Sequence, residues 1–442
     1  MDMKLSQIAG IVDGVMYGAD VTVTAASIDS RRVSPGDLFV ALDGERVRGI
    51  DYVDAAVANG AVAALTAERL SDATPGIVVD DPLTALQKMS SFWRKELDAT
   101  IIAVTGSNGK TTMRSMIAAC LGDNSFATEG NYNNHIGVPM MLTRLDRRHR
   151  RAVLELGANH HGEIAQMASW VRPDIAIITN AGPAHLEGFG SIAGVAEAKG
   201  ELFDALGVGG TAVINADDQY APMWHELASP AASITFGSGP HADCFYSDLA
   251  ATSDGLRFEL RVPGAQASAS LALTGEHNAL NAAGVAAVAI AAGITLDDVV
   301  SGLASVTAEP GRQDPFRAVN GATLFDDSYN ANPASMQAAA RMLVQSAKSP
   351  WMIIGDMGEL GADSEALHFE TGAAIRKAGV VRLFTFGAMS SQATLGFGDG
   401  AQHFSDLDAL IRLVRDSLSE DVTLLVKGSR SMRMERVVEA LR

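Results

Sequence analysis

Short apolar runs alternate with segments of helical periodicity along most of the chain, and this pattern falls into three blocks. In the first block, residues 1–97, the apolar runs lie at 37–42, 61–66 and 76–81. Helix-like stretches and turns separate these runs. The arrangement is typical of a small α/β domain.

The second block, residues 98–308, has longer and more uniformly apolar runs. Those that predict strands lie at 100–106, 151–159, 174–182 and 211–217. Nearly continuous apolar strands that alternate with amphipathic helices indicate a parallel sheet covered on both faces. Residues 240–273 instead have the alternation of antiparallel strands.

The third block, residues 309–442, repeats the strand–helix alternation behind a segment rich in Pro, Gly and charge. That segment, 307–316, is the best linker candidate. The later strands are predicted at 322–328, 351–356, 382–387 and 423–428. We therefore predict a three-domain α/β protein with a small N-terminal domain, a central parallel-sheet domain and a C-terminal Rossmann-like domain.

The composition and net charge of the chain indicate its cellular compartment and exclude some classes of binding partner. The 442 residues carry a net charge of −18, which argues against nonspecific nucleic-acid binding. Two cysteines, no signal-peptide pattern and no long uncharged apolar run favour a cytoplasmic protein without a membrane span. The Ala/Gly-rich stretch at 278–293 is better explained as a packed soluble helix. We expect a monomer.

A glycine-rich turn follows the first strand of the second block and gives the strongest chemical signal. It reads GSNGKTT at 106–112 and precedes a helical pattern. Backbone N–H groups in such a turn can bind phosphate oxygens, Lys110 can neutralise the β/γ-phosphates and the Thr111 hydroxyl can hold Mg²⁺. The spacing departs from the usual P-loop, since Val104 stands where the first glycine is expected. Such a loop alone permits ATPase, GTPase, kinase or ligase chemistry.

Three polar residues stand near the carboxyl ends of the predicted central strands, where ligands bind in such sheets. Glu155 interrupts an apolar run, where a carboxylate must be paired or metal-bound. His185 follows the next strand, and an ordinary loop histidine is the alternative. Lys199 lies on a predicted helix and, taken alone, is expected at the surface. From these residues only Glu155 suits Mg²⁺.

The third block supplies candidates for a second half of the site. Arg312 follows the linker and can reach a γ-phosphate, while Asp326 and Asp327 could hold a ribose or cap a helix. Asn278 and Asn281 open the Ala-rich helix, where an N-cap motif is the alternative. Two half-sites on different domains imply closure over the nucleotide.

These residues in this order resemble the Mur ligase family over essentially the whole chain. The matching segments are DSR with DLFVALDGER, NYNNHIG, ELGANHHGEI, AHLEGFGS, DDSYNANP, GDMGELG and KGS. The family's shortened phosphate loop also accounts for the missing first glycine. His161 stands where the family usually has proline, and Tyr329 where some relatives carry lysine.

The resemblance implies roles for individual residues. It implies ATP contacts at Gly106, Ser107, Asn108, Gly109, Lys110, Thr111, Thr112, Asn278, Asn281, Arg312 and Asp327. It implies Mg²⁺ ligands at Thr111, Glu155, His185 and Lys199, the last as a carbamate, and substrate contacts at Ser30, Arg31, Asn134 and Asn330. Lys110, Arg312 and Lys199 are the expected catalytic residues.

The implied reaction joins UDP-N-acetylmuramoyl-tripeptide to D-alanyl-D-alanine through an acyl phosphate, with ATP as the phosphoryl donor. Three alternatives remain open at this point. They are a related ligase that adds a single amino acid, a P-loop NTPase that drives a conformational switch, and a noncatalytic binding module.

Overall fold

The computed structural model describes residues 1–71, 73–252 and 254–442. Within these residues the strands form sheets of five, nine and six strands and one two-stranded pair. Each of the three larger sheets lies in one of the predicted blocks. The predicted α/β class is therefore confirmed.

The first block is built on a sheet that is parallel except at one edge. Its elements are β1 (Met3–Lys4), α1 (Leu5–Val12), β2 (Val15–Tyr17), β3 (Thr22–Val23), β4 (Ala25–Ser27), β5 (Asp37–Val40), α2 (Val53–Ala58), β6 (Ala63–Thr66), β7 (Gly76–Val78) and α3 (Pro82–Lys95), with 3₁₀ turns at Ser30–Arg32 and Gly49–Tyr52. The order is β2-β7-β6-β5-β4, and β2 is the antiparallel strand. Asp81 starts α3 because its carboxylate accepts the N–H groups of Leu83 and Thr84.

The central block carries the nine-stranded sheet. Its elements are β8 (Thr100–Thr105), α4 (Lys110–Cys120), β9 (Ser125–Ala127), α5 (Gly137–Arg144), β10 (Arg151–Glu155), α6 (Glu163–Val171), β11 (Ile175–Ile178), α7 (Leu186–Phe189), α8 (Ile192–Asp204), β12 (Thr211–Asn215), α9 (Ala221–Ala228), β13 (Ala232–Gly237), β14 (Cys244–Thr252), β15 (Gly255–Val262), β16 (Ala265–Leu271), α10 (Glu276–Ala291) and α11 (Leu296–Ser305). The order is β16-β15-β14-β13-β12-β11-β8-β10-β9. The strands from β8 to β13 pair in parallel, and β14 joins β13 in parallel as well. The β14–β15 and β15–β16 pairs are antiparallel, as predicted for 240–273.

Separate apolar clusters cover the two faces of the central sheet. One is continuous with the core of the N-terminal block through α3 and α5, and the other contains α4, α10 and α11. The small side chains of α10 are buried along most of its length, which confirms the packed helix predicted at 278–293. No helix among the described residues has the length and apolar character needed to cross a membrane.

The C-terminal block is a second α/β sheet with helices on both faces. Its elements are β17 (Asp314–Arg317), β18 (Thr323–Asp327), α12 (Pro333–Ser346), β19 (Ser349–Gly355), α13 (Ser364–Ala378), β20 (Arg382–Phe386), α14 (Ser390–Phe397), β21 (Ala401–Phe404), α15 (Leu407–Ser417), β22 (Val422–Lys427) and α16 (Glu435–Leu441), with 3₁₀ turns at Val319–Gly321, Gly361–Asp363 and Arg430–Met432. The order is β17-β18-β22-β19-β20-β21, parallel except for β17.

The linker is shorter than the predicted 307–316, because its last residues belong to the edge strand β17. Pro315 pairs in register with Phe325. Proline lacks an N–H and is tolerated in a strand at the edge of a sheet. Its presence made a genuine strand resemble a linker.

Candidate active site

The glycine-rich segment 106–112 follows the carboxyl end of β8, with a turn at 106–109 and the first residues of α4 at 110–112. Gly106 has φ +150°, and a Cβ there would overlap Thr179 Oγ1. Gly109 has φ +79° at the N-cap position of α4. The glycines are required because the backbone bends sharply and passes close to the neighbouring strand end.

The end of β11 holds this turn in place. Ser107 N–H donates to the Asn180 carbonyl at 2.9 Å, and Asn108 N–H donates to Asn180 Oδ1 at 3.1 Å. Ser107 Oγ donates to the Gly182 carbonyl at 3.1 Å, and Thr179 Oγ1 donates to the Asn108 carbonyl at 2.6 Å. The loop is thus preorganised by its own domain. Sequence reasoning missed Asn180, which stands at a strand end next to the glycine turn.

Lys110 is folded back over the loop. Its Nζ donates to the Gly106 carbonyl at 2.7 Å. Burial lowers the pKa of Lys110, Glu155 opposes that shift and the nearby Arg312 adds to it. A phosphate bound in the loop would stabilise the charged ammonium. Thr111, the next residue, is buried.

Glu155 is the last residue of β10 and is buried. Its Oε1 accepts a hydrogen bond from Asn133 Nδ2 at 2.9 Å. Its Oε2 has no hydrogen-bond partner, and the nearest cation, Arg114 Nη1, lies 3.8 Å away. A buried carboxylate oxygen that lacks a donor is a suitable ligand for a hard cation.

His185 lies after β11 with a left-handed backbone, φ 54°. Its Nδ1 contacts Glu359 Oε2, which belongs to the C-terminal block. The hydrogen bond from His185 lowers the pKa of the Glu359 carboxyl. The contact joins two domains across the site, and sequence reasoning did not identify Glu359.

Lys199 is buried on α8 with 1% of its surface exposed, so its expected surface position is wrong. Helical periodicity placed it on a helix but could not show which neighbours cover it. Its Nζ lies 5.7 Å from the centre of the Phe189 ring. Burial, and then the charge of Lys110, lower the pKa of Lys199 well below its ordinary value. A neutral amine of this kind can react with CO₂.

The donor set fits Mg²⁺ if Lys199 is carbamylated. No three His, Cys, Asp or Glu side chains converge as a metal site within the described parts of the chain. Glu155 and Thr111 provide hard oxygen atoms, and a carbamate would add the anionic oxygens that an ammonium lacks. The unpartnered Glu155 Oε2 is the observation that favours this set.

The C-terminal block contributes Arg312 and Asp327 to the candidate site. The Arg312 guanidinium lies 4.1 Å from the centre of the Tyr329 ring. Asp327 is buried and accepts a hydrogen bond from Lys427 Nζ at 2.7 Å. Burial raises the pKa of Asp327, and Lys427 opposes that shift.

Neither acid at 326 and 327 caps a helix. Both end β18, whereas Asn332 caps α12 by accepting the Ser335 N–H at 2.9 Å. Asn332 Nδ2 also donates to Asn108 Oδ1 at 2.8 Å, which connects the C-terminal block to the phosphate loop. Asn332 therefore both caps α12 and makes a contact across the domain seam, which is the boundary between the central and C-terminal blocks.

Asn278 and Asn281 lie buried at the start of α10, beside the phosphate loop. Asn281 Nδ2 donates to Asn278 Oδ1 at 3.2 Å, and Asn278 Nδ2 donates to the Thr274 carbonyl at 2.8 Å. The Asn281 side chain also lies next to Gly109. Both residues are therefore within the neighbourhood predicted for ATP, and Gly275 occupies the N-cap position.

The four predicted substrate residues are spread over three blocks. Ser30 and Arg31 form a 3₁₀ turn in the first block, where Arg31 Nη2 pairs with Asp29 at 2.8 Å. Asn134 Oδ1 accepts two backbone N–H groups at the start of α5. The neighbouring residue, Asn133, donates the hydrogen bond to Glu155. The Asn330 carbonyl accepts Lys427 Nζ at 2.9 Å.

The sequence matches models of known protein families and a known enzyme. Three family models match: the Mur ligase family catalytic domain at 22–94, the Mur ligase middle domain at 104–289 and the Mur ligase glutamate ligase domain at 311–430. The chain is 42% identical to the UDP-N-acetylmuramoyl-tripeptide–D-alanyl-D-alanine ligase of Escherichia coli K12, covering 100% of this chain and 98% of that protein.

Solved structures of related enzymes have a similar fold over all or nearly all of this chain. Crystal structure I of MurF from Acinetobacter baumannii superposes with a TM-score of 0.91 at 33% identity, covering 100% of this chain and 99% of the other. MurF ligase from Thermotoga maritima in complex with ADP has a TM-score of 0.83 at 26% identity, covering 95% of this chain and 97% of the other.

Proposed function

The chain belongs to the Mur ligase family, and from that membership we infer that it is an ATP-dependent ligase that adds D-alanyl-D-alanine to UDP-N-acetylmuramoyl-tripeptide. The product is the UDP-MurNAc-pentapeptide precursor used in peptidoglycan and cell-wall synthesis. The observation that carries this assignment is the similarity to the E. coli ligase over the whole chain.

The phosphate loop supports the roles proposed for Lys110 and Arg312. Backbone N–H groups at the start of α4 would bind the β/γ-phosphates, and Lys110 would neutralise charge as the γ-phosphoryl moves to the substrate carboxylate. Arg312 would approach the same phosphoryl from the C-terminal block. D-Ala-D-Ala amine then displaces phosphate from the acyl phosphate.

Mg²⁺ is part of the proposal and would be held by Thr111, Glu155, His185 and carbamylated Lys199. When bound, it would neutralise phosphate charge beside the loop. Asn278 and Asn281 would face the adenine and Asp327 the ribose. Ser30 and Arg31 would lie near the UDP end, with Asn134 and Asn330 nearer the peptide. The domain boundaries at 97/98 and 308/309 belong to this proposal as well.

We also propose that the enzyme acts in the cytoplasm, since ATP and the UDP-linked substrate are cytoplasmic metabolites. A monomer is a separate part of the proposal. No nucleic-acid partner is part of this proposal.

Phosphate release with UDP-MurNAc-tripeptide, measured with and without D-Ala-D-Ala, tests the function. We expect release that depends on the dipeptide and a new pentapeptide product by mass spectrometry. A preference for a single amino acid would support another Mur-type or folylpolyglutamate-type ligase instead. ATP turnover that needs no amine would support a P-loop NTPase.

A further inference from the structure

Arg114 is a buried arginine on α4, one helical turn after Lys110, and it lies between two carboxylates. Its Nη1 is 3.8 Å from Glu155 Oε2 and donates to the Gly130 carbonyl at 2.9 Å. Its Nη2 donates to Glu309 Oε1 at 3.2 Å. One guanidinium therefore connects the proposed metal ligand with the segment between the central and C-terminal blocks.

Glu309 lies in that connecting segment, between α11 and β17. Its Oε1 also accepts Ser115 Oγ at 2.6 Å, so α4 holds it by two side chains. The Glu309 carbonyl accepts the Arg312 N–H at 2.9 Å and forms the turn that leads into Arg312. The position of Arg312 thus depends on a linker anchored to Arg114.

We propose that Arg114 is a positioning residue that couples metal binding at Glu155 to the linker at Glu309. The proposal rests on the proposed function, which makes Glu155 a Mg²⁺ ligand. A buried carboxylate needs a compensating cation, and Arg114 provides one to Glu155 in competition with a divalent ion. A metal at Glu155 releases Arg114 from that role and leaves it committed to Glu309, which fixes the linker in front of Arg312.

The test is Mn²⁺ affinity, measured from the loss of the free-ion EPR signal in bicarbonate buffer. In Arg114→Met the competing cation is gone, so we expect the Kd to fall about threefold or more. In Glu309→Gln the guanidinium has only Glu155 as a carboxylate partner, so we expect the Kd to rise by about the same factor. Arg151→Met is the matched control, since Arg151 begins β10 and Glu155 ends it, and it should leave the Kd unchanged.

Simple long-range charge effects would give the same signs, so the double variant decides. If Arg114 carries the coupling, Glu309→Gln has no further effect on the Kd in the Arg114→Met background. Additive effects would overturn the proposal. If Arg114→Met does not fold, Arg114→Lys takes its place in the double variant, where it should likewise remove the effect of Glu309→Gln, because a single ammonium cannot bridge both carboxylates.

Failure of this inference is distinct from failure of the proposed function. Wild-type enzyme that makes the pentapeptide and binds Mn²⁺, but shows additive variant effects, contradicts only the role of Arg114. Wild-type protein that neither binds Mn²⁺ nor makes the product contradicts the ligase assignment as well.

Discussion

The phosphate loop at 106–112 and the nearby Arg312 are held in different ways. Backbone and side-chain hydrogen bonds from Thr179, Asn180 and Gly182 of its own domain fix the loop. Arg312 stacks on one ring and follows a linker turn. The loop is therefore preformed, whereas the arginine depends on the relative position of two domains. Substitutions at the phosphate loop should therefore abolish most of the turnover, whereas substitutions at the domain seam should change turnover or the KM for ATP by smaller factors.

The largest effect is expected for Lys110→Ala. Lys110→Ala removes the bond from Nζ to the Gly106 carbonyl but keeps the loop's hydrogen bonds to Thr179, Asn180 and Gly182, so the protein should fold. Turnover should fall at least about a hundredfold because phosphoryl charge is no longer neutralised. Steady-state phosphate release and a thermal melt check the two halves of this prediction. Near-wild-type turnover would remove Lys110 from the proposed chemistry.

Lys199→Met should reduce turnover by about tenfold to a hundredfold, since the variant cannot form the carbamate that completes the metal site. The wild-type chain in ¹³C-bicarbonate should give a carbamate NMR signal that the variant lacks. An unmodified Lys199 in fully active enzyme would contradict the carbamate.

The phosphate loop could be predicted from sequence because every part of it is local. Glycines, Lys110 and Thr111 are adjacent in the chain, and the flanking strand and helix are visible as apolar patterns. Arg312 could be predicted from its position just after the linker, whereas the substrate residues Ser30, Arg31 and Asn330 came only from the resemblance to a family. The features that the sequence did not predict are the burial and the contacts of individual side chains, because these depend on the folded environment.

Two cases show why that information is absent from a linear pattern. Lys199 has an ordinary helical context, and only the packing of neighbouring elements buries it. Asn133 and Asn134 are adjacent and chemically identical, so only the backbone path at the start of α5 decides that Asn133 reaches Glu155. Arg114 was missed for the same reason, because its two carboxylate partners are far from it in sequence.

Tyr329→Leu should reduce turnover about fivefold, because the Arg312 guanidinium loses the ring on which it stacks. Tyr329→Phe retains the ring and should stay close to wild type. If the ring only positions Arg312, kcat should change more than the KM for ATP. Equal losses in the Leu and Phe variants would instead assign the effect to the hydroxyl.

The smallest effect is expected at the hydrogen bond between Asn332 and Asn108, the seam's direct contact with the phosphate loop. Asn332→Ser can still cap α12 but cannot donate from an amide to Asn108 Oδ1, so the KM for ATP should rise about twofold to threefold with little loss of stability. Asn332→Ala should show the same KM and, in addition, a loss of about 1 kcal/mol in the free energy of unfolding, because the cap is removed. Urea titration measures the second effect separately from kinetics. Unchanged KM values in both variants would show that the loop is held entirely by its own domain, and the seam would then act on ATP only through Arg312.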